Sequence, residues 1–166
     1  MPTMDEVYLG NPLLKKANVK QEFTKDQILE FVACKNDPVY FARQHVKIVS
    51  LDEGLVPFEP YDFQEGLIRK FHDHRFNICK MPRQTGKSTT SVSYLLHYAV
   101  FNDNVNIGIL ANKAATARDL LGRLQTAYEN LPKWMQQGII SWNKSGCVSS
   151  AAISRPFTIR GPGRLK

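Results

Sequence analysis

The chain has 166 residues, enough for one domain with a real core and too short for a two-domain motor. No apolar run approaches the length of a membrane span, and the opening Met1-Pro2-Thr3-Met4-Asp5-Glu6 lacks the basic-then-apolar pattern of a signal peptide. The formal net charge is +7, but Lys133, Lys144, Arg155, Arg160, Arg164 and Lys166 supply most of it from the stretch after Glu129, where none of the 15 acids falls.

Such a basic end either holds phosphates without reading sequence or is an unstructured appendage. Cys34, Cys79 and Cys147 are scattered, without C-x-x-C spacing, which predicts neither a disulfide framework nor a zinc site and points to a reducing cytoplasm. His45, His72, His74 and His97 form no ligand cluster by spacing, and His72 and His74 read as surface residues.

In chain order, residues 1–23 mix Pro, Gly, Lys and Asn with scattered Val and Leu, and read as an extended or poorly ordered arm. Thr24-Lys25-Asp26-Gln27 is a capping-box pattern, with Ile28, Phe31 and Val32 on one face of the helix behind it. Asp37-Pro38 starts a second helix, with proline at its first position, running to about His45. Residues 46–51 are β-rich, and Asp52-Glu53-Gly54 turns the chain. Asp62-Phe63-Gln64-Glu65 opens a helix with Phe63, Leu67 and Phe71 on one face. An apolar strand follows at about 75–80, a helix at about 87–101, a short buried-type strand at 105–110, and then a long helix. That last helix carries Ala117, Leu120, Leu121, Leu124, Tyr128 and Leu131 as an ordinary core stripe. Strand, helix, strand, helix after residue 75 predicts an α/β domain over residues 24–144, with a P-loop-type parallel sheet flanked by helices and incomplete at its C-terminal end. Residues 145–166 lose the pattern and read as a basic tail outside the domain.

The chemistry centres on Met81-Pro82-Arg83-Gln84-Thr85-Gly86-Lys87-Ser88-Thr89. A strand, a tight loop and a helix start of this kind curl backbone N–H groups round a triphosphate. Lys87 would sit on the β/γ-phosphates, Ser88 would be the Mg²⁺-side hydroxyl, and the helix N-terminus adds its positive field. The first glycine of G-x-x-x-x-G-K-[ST] is replaced by Met81, and the bare tripeptide also fits a solvated turn. Val92, Leu95, Leu96 and Ala99 at helical spacing favour the phosphate site. Gln64, 23 residues before Lys87, offers a donor and an acceptor suited to an adenine edge, or else a surface cap. Arg83 either neutralises charge growing on the γ-phosphate or is a solvated loop arginine. Asn112 and Lys113 follow the second strand, where they contact DNA or phosphate or simply begin a helix. No apolar run ending in Asp or Glu follows the second helix, so an acid to secure Mg²⁺ and orient water is missing and turnover by this chain alone is not expected.

Tyr61-Asp62-Phe63-Gln64, the Pro82-Arg83-Gln84-Thr85-Gly86-Lys87-Ser88-Thr89 loop, Asn106-Ile107-Gly108-Ile109-Leu110-Ala111-Asn112-Lys113, and Leu131-Pro132 through Gly138-Ile139-Ile140-Ser141-Trp142-Asn143-Lys144 together resemble the large terminase subunit of T-even-like tailed phages. The resemblance covers about residues 25–144 and accounts for the absent first glycine. It implies a viral genome-packaging motor in the host cytoplasm, with an ATPase that drives DNA into the prohead and a nuclease beyond it. ATP and Mg²⁺ would be the cofactors. Double-stranded DNA, the portal protein and the small terminase subunit would be the partners, with no membrane. Gln64 then matches the adenine-recognition glutamine, Lys87 and Ser88 the phosphate and Mg²⁺ ligands, and Arg83 a catalytic arginine acting in cis. After Lys144 the chain departs from the family and reads as a truncation carrying an unrelated tail. A non-catalytic nucleotide- or partner-binding short form and a fragment of a helicase-like P-loop ATPase remain alternatives, although the Trp142-Asn143-Lys144 segment favours terminase over helicase.

Overall fold

The structure is a computed structural model that describes residues 7–19, 22–50, 52–103, 105–143 and 146–149. Its elements run β1 (Val7–Tyr8), β2 (Asn11–Lys15), α1 (Lys25–Asn36), α2 (Pro38–His45), β3 (Lys47–Ser50), β4 (Gly54–Pro57), α3 (Asp62–Asp73), α4 (Lys87–Phe101), α5 (Ala114–Glu129), β5 (Ile139–Asn143) and β6 (Gly146–Ser149). The chain is mixed α/β. None of these helices is long and apolar enough to cross a membrane.

Local chemistry sets the helix boundaries. Thr24 Oγ1 accepts from the Gln27 N–H at 3.3 Å while Gln27 Oε1 accepts from the Thr24 N–H at 3.1 Å, so two donors at the start of α1 are satisfied reciprocally. Asp37 ends α1 through its own N–H to Ala33 O, and starts α2 by accepting from Val39 and Tyr40 N–H groups at 2.8 and 3.3 Å. A cap of this kind contributes about 1 kcal/mol. Pro38 takes the first helical position, where no intrahelical donor is needed.

Helix α4 lies at the centre, in contact with α2, α3 and α5. Val92, Leu96 and Val100 on α4 are buried with Phe41, Ile68 and Leu121 from those neighbours in one core. An Arg43–Glu65 ion pair ties α2 to α3 at the surface. The stripe on α5 is buried as its spacing predicts, with Ala117, Leu121, Leu124, Tyr128 and the following Leu131 all in the interior. On α3 the inward face is turned by one residue from the expected one: Gln64 and Ile68 are buried and Phe63 is exposed, where it stacks on Tyr61 at 5.9 Å.

The sheet is where sequence and structure part. Among the described residues the strands form three separate antiparallel pairs, β1–β2, β3–β4 and β5–β6, with one isolated parallel bridge between Lys16 and Ile139. Neither residues 75–80 nor 105–110 pair as strands, so a parallel sheet is not among the described elements. Phe76 is 82 % exposed and Ile78 stands fully in solvent, whereas Ile107 and Ile109 are buried without a ladder. The apolar pattern of a buried parallel strand is present, but a strand exists only when another lies beside it, and none of the described segments does.

The segment read as an N-terminal arm carries the β1–β2 hairpin, with Leu14 buried in the core. Gln136 explains how. Its buried side chain donates to Leu13 O and Leu131 O, each at 3.0 Å, and accepts from the Lys15 N–H at 3.2 Å. Ala17 N–H reaches Ile139 O at 3.2 Å, and this crossing needs the bare backbone of Gly138, where a Cβ would stand 2.6 Å from Ala17 Cα. Of the segment read as a tail, residues 146–149 pair with β5, and residues 150–166 lie outside the described residues.

Candidate functional site

The loop at residues 82–86 is shaped by its own backbone. Gln84 and Gly86 both take positive φ, 64° and 71°, placing two left-handed residues directly before α4. A left-handed residue is costly for most side chains and free for glycine, which is why Gly86 occupies the N-cap. Thr85 Oγ1 donates to Pro82 O at 3.1 Å and Lys87 Nζ to the same carbonyl at 3.2 Å, closing the loop on itself.

The start of α4 is unprotected. It has no side-chain cap and no acid in its first turn, so the N–H groups of Lys87, Ser88 and Thr89 lack intrahelical acceptors and carry the positive end of the helix dipole. Thr90 closes the first turn, bonding Gly86 O through both its N–H at 2.9 Å and its hydroxyl at 3.1 Å.

Gln64 connects this loop to α3. It is 4 % exposed, accepts the Tyr61 N–H on Oε1 at 3.0 Å and donates from Nε2 to Thr85 O at 3.2 Å. Its carboxamide therefore already holds one donor and one acceptor in place, leaving one N–H and one lone pair for anything bound beside it. A cleft of about 730 Å³ opens at this junction, lined by Gln64, Gln84, Thr85, Gly86 and Thr89 together with Tyr61. Glu53 and Glu59 also face it, two carboxylates that spacing along the chain did not single out.

Of the residues expected at the site, Gln64, Gln84, Thr85, Gly86 and Thr89 are thus brought to one cleft. Pro82, Arg83 and Lys87 are exposed on the loop or at the helix start outside its lining, and Ser88 is half-buried on the first turn of α4. Asn112 and Lys113 precede α5 as expected of a helix start.

A second cluster has no counterpart in the sequence reading. Glu30 and Cys34, one turn apart on α1, meet His45 at the end of α2. Glu30 Oε1 bonds His45 Nε2 at 2.9 Å and lies 3.7 Å from Cys34 Sγ, while the Tyr40 hydroxyl donates to Oε2 at 3.0 Å. The hydrogen bond from His45 holds the Glu30 carboxyl below its ordinary range, and burial pushes the Cys34 thiol up to about 12. Nearby, burial pulls His97 down to about 4; its Nε2–H donates to Cys34 O at 2.9 Å and its ring is packed between Phe41, Tyr94 and Phe101. The Glu-x-x-x-Cys spacing on a helix was the one legible signal for this group.

No protein-family model matches the chain.

Proposed function

We propose that this chain is the ATP-binding N-terminal portion of a terminase large subunit, the motor that packages phage DNA, with the loop and following helix of a P-loop ATPase. The observation that carries the reading is the coupling of Gln64 to Thr85 O directly before the left-handed Gly86, at the start of a 15-residue helix without a cap. In this reading a carboxamide for the base and backbone N–H groups for the phosphates are joined by one hydrogen bond beside one cleft.

The residues fit a nucleoside triphosphate. Uncapped N–H groups and the Lys87 ammonium offer donors and positive charge without a competing acid in the first turn. Lys87 rests on Pro82 O and would exchange that carbonyl for phosphate oxygens. Ser88 supplies a single hydroxyl, in keeping with a Mg²⁺ held chiefly by phosphate and water. Bound Mg²⁺ would neutralise phosphate charge, and Arg83 on the exposed loop would meet the γ-phosphate from outside. The remaining donor and acceptor of Gln64 would face an adenine edge.

Calorimetric titration with ATP and Mg²⁺ tests this reading. Losing a charge-assisted contact costs about 1.5–3 kcal/mol, so Lys87→Ala weakens binding roughly ten- to a hundred-fold. Equal affinity of the two proteins removes the nucleotide role.

A further inference from the structure

We propose that Glu30, Cys34 and His45 form a binding site for a divalent ion of the zinc class, remote from the nucleotide loop. All three offer a ligand atom, and these atoms lie within 4.8 Å of one another. A carboxylate, a thiol and an imidazole together are a donor set that suits Zn²⁺ and Co²⁺ and disfavours Mg²⁺ or Ca²⁺, which take oxygen.

The spacing is close to what a tetrahedral ion requires. Bonds of roughly 2.0–2.3 Å place neighbouring ligands roughly 3.3–3.8 Å apart. The observed separations from Glu30 Oε1 are 2.9 Å to His45 Nε2 and 3.7 Å to Cys34 Sγ, so small side-chain rotations suffice. The backbone already holds the set: Glu30 and Cys34 share one face of α1, and His45 is fixed at the last residue of α2, with its ring edge-on to Trp134 at 6.1 Å. Tyr40 donates to the second carboxylate oxygen, the outer-shell contact that orients a ligating carboxylate.

Cys34 is buried, whereas the Glu30 and His45 side chains are 29 % and 13 % exposed, so a fourth position faces solvent on their side. Binding displaces the thiol proton and replaces the His45–Glu30 hydrogen bond with two bonds to the ion, releasing protons to water. The ion would cross-link the middle of α1 to the end of α2.

The test uses the full chain with Cys79 and Cys147 changed to serine, titrated with Co²⁺ under reducing conditions. One equivalent should give tetrahedral ligand-field absorption and a thiolate-to-cobalt charge-transfer band, both displaced by one equivalent of Zn²⁺. His45→Gln should weaken binding by about tenfold or more, and Cys34→Ser should abolish the charge-transfer band while circular dichroism retains the helices. X-ray absorption of the zinc-loaded parent chain should show one sulfur with nitrogen and oxygen neighbours, a readout that does not depend on any variant folding. A folded parent chain without the band, a band that survives Cys34→Ser, or a zinc shell lacking sulfur overturns the proposal.

Discussion

Gln64 and Gly86 are packed so closely that a Cβ on Gly86 would stand 2.4 Å from Gln64 Nε2. The φ of 71° requires the glycine, and a Cβ there would in addition displace the end of the carboxamide that crosses it to reach Thr85 O. Gly86→Ala should destabilise the chain through both effects, the left-handed strain alone costing about 1–2 kcal/mol. Shortening the neighbour relieves only the clash. In urea unfolding, Gly86→Ala should accordingly cost at least about 0.5 kcal/mol less in a Gln64→Ala background than in the parent. Strict additivity would mean that the two residues do not press on one another.

The same contact bears on base selection. Gln64→Ala removes the carboxamide beside the cleft and should narrow the ratio of ATP to GTP affinity, read from competition titrations. An unchanged ratio would leave Gln64 as a strut for the loop and nothing more. Hydrolysis by the isolated chain should stay at background, because no carboxylate caps or lies in the first turn of α4 to secure Mg²⁺ beside Ser88. Lys87-dependent turnover would instead direct attention to Glu53 and Glu59 across the cleft.

His97 makes stability depend on pH. Its folded value of about 4 lies below the ordinary 6.5, so the unfolded chain binds more protons between those limits. The stabilisation is complete above pH 6.5 and is lost as pH falls towards 4. At pH 5 the loss is about 2 kcal/mol relative to pH 7, at 1.36 kcal/mol per pH unit. The His72 ring lies 6.0 Å away, and positive charge at that position disfavours the protonated form of His97. Urea unfolding at the two pH values, with chelator present, should show a shallower loss for His97→Gln; equal losses would place the titration elsewhere.

Gln136 should prove to be the anchor of the β1–β2 hairpin. Gln136→Ala removes its bonds to the carbonyls of Leu13 and Leu131 and to the Lys15 N–H, and should cost about 1–3 kcal/mol. Amide exchange at Lys15 should speed up beyond the global loss. Exchange that merely follows overall stability would show the hairpin to be held by Leu14 burial instead.

What the chain determines by itself is its helices and the loop before α4. Thr24 with Gln27, Asp37 with Pro38, and Gly86 before Lys87 act over one to four residues, so each boundary follows from neighbours along the chain. The stripe on α5 is legible for the same reason. What only the tertiary structure decided are contacts between distant residues. The one-residue turn of α3 that buries Gln64 instead of Phe63 depends on where the loop 21 residues later passes, not on the spacing of Phe63, Leu67 and Phe71. The docking of the β1–β2 hairpin by Gln136 and the meeting of His45 with Glu30 and Cys34 were invisible because no local rule couples residues 10 or more positions apart. Residues 75–80 make the converse point. Phe76 and Ile78 alternate as a strand would, yet a strand is a relation between two segments, and an apolar pattern without a neighbouring backbone to pair with leaves its side chains in water.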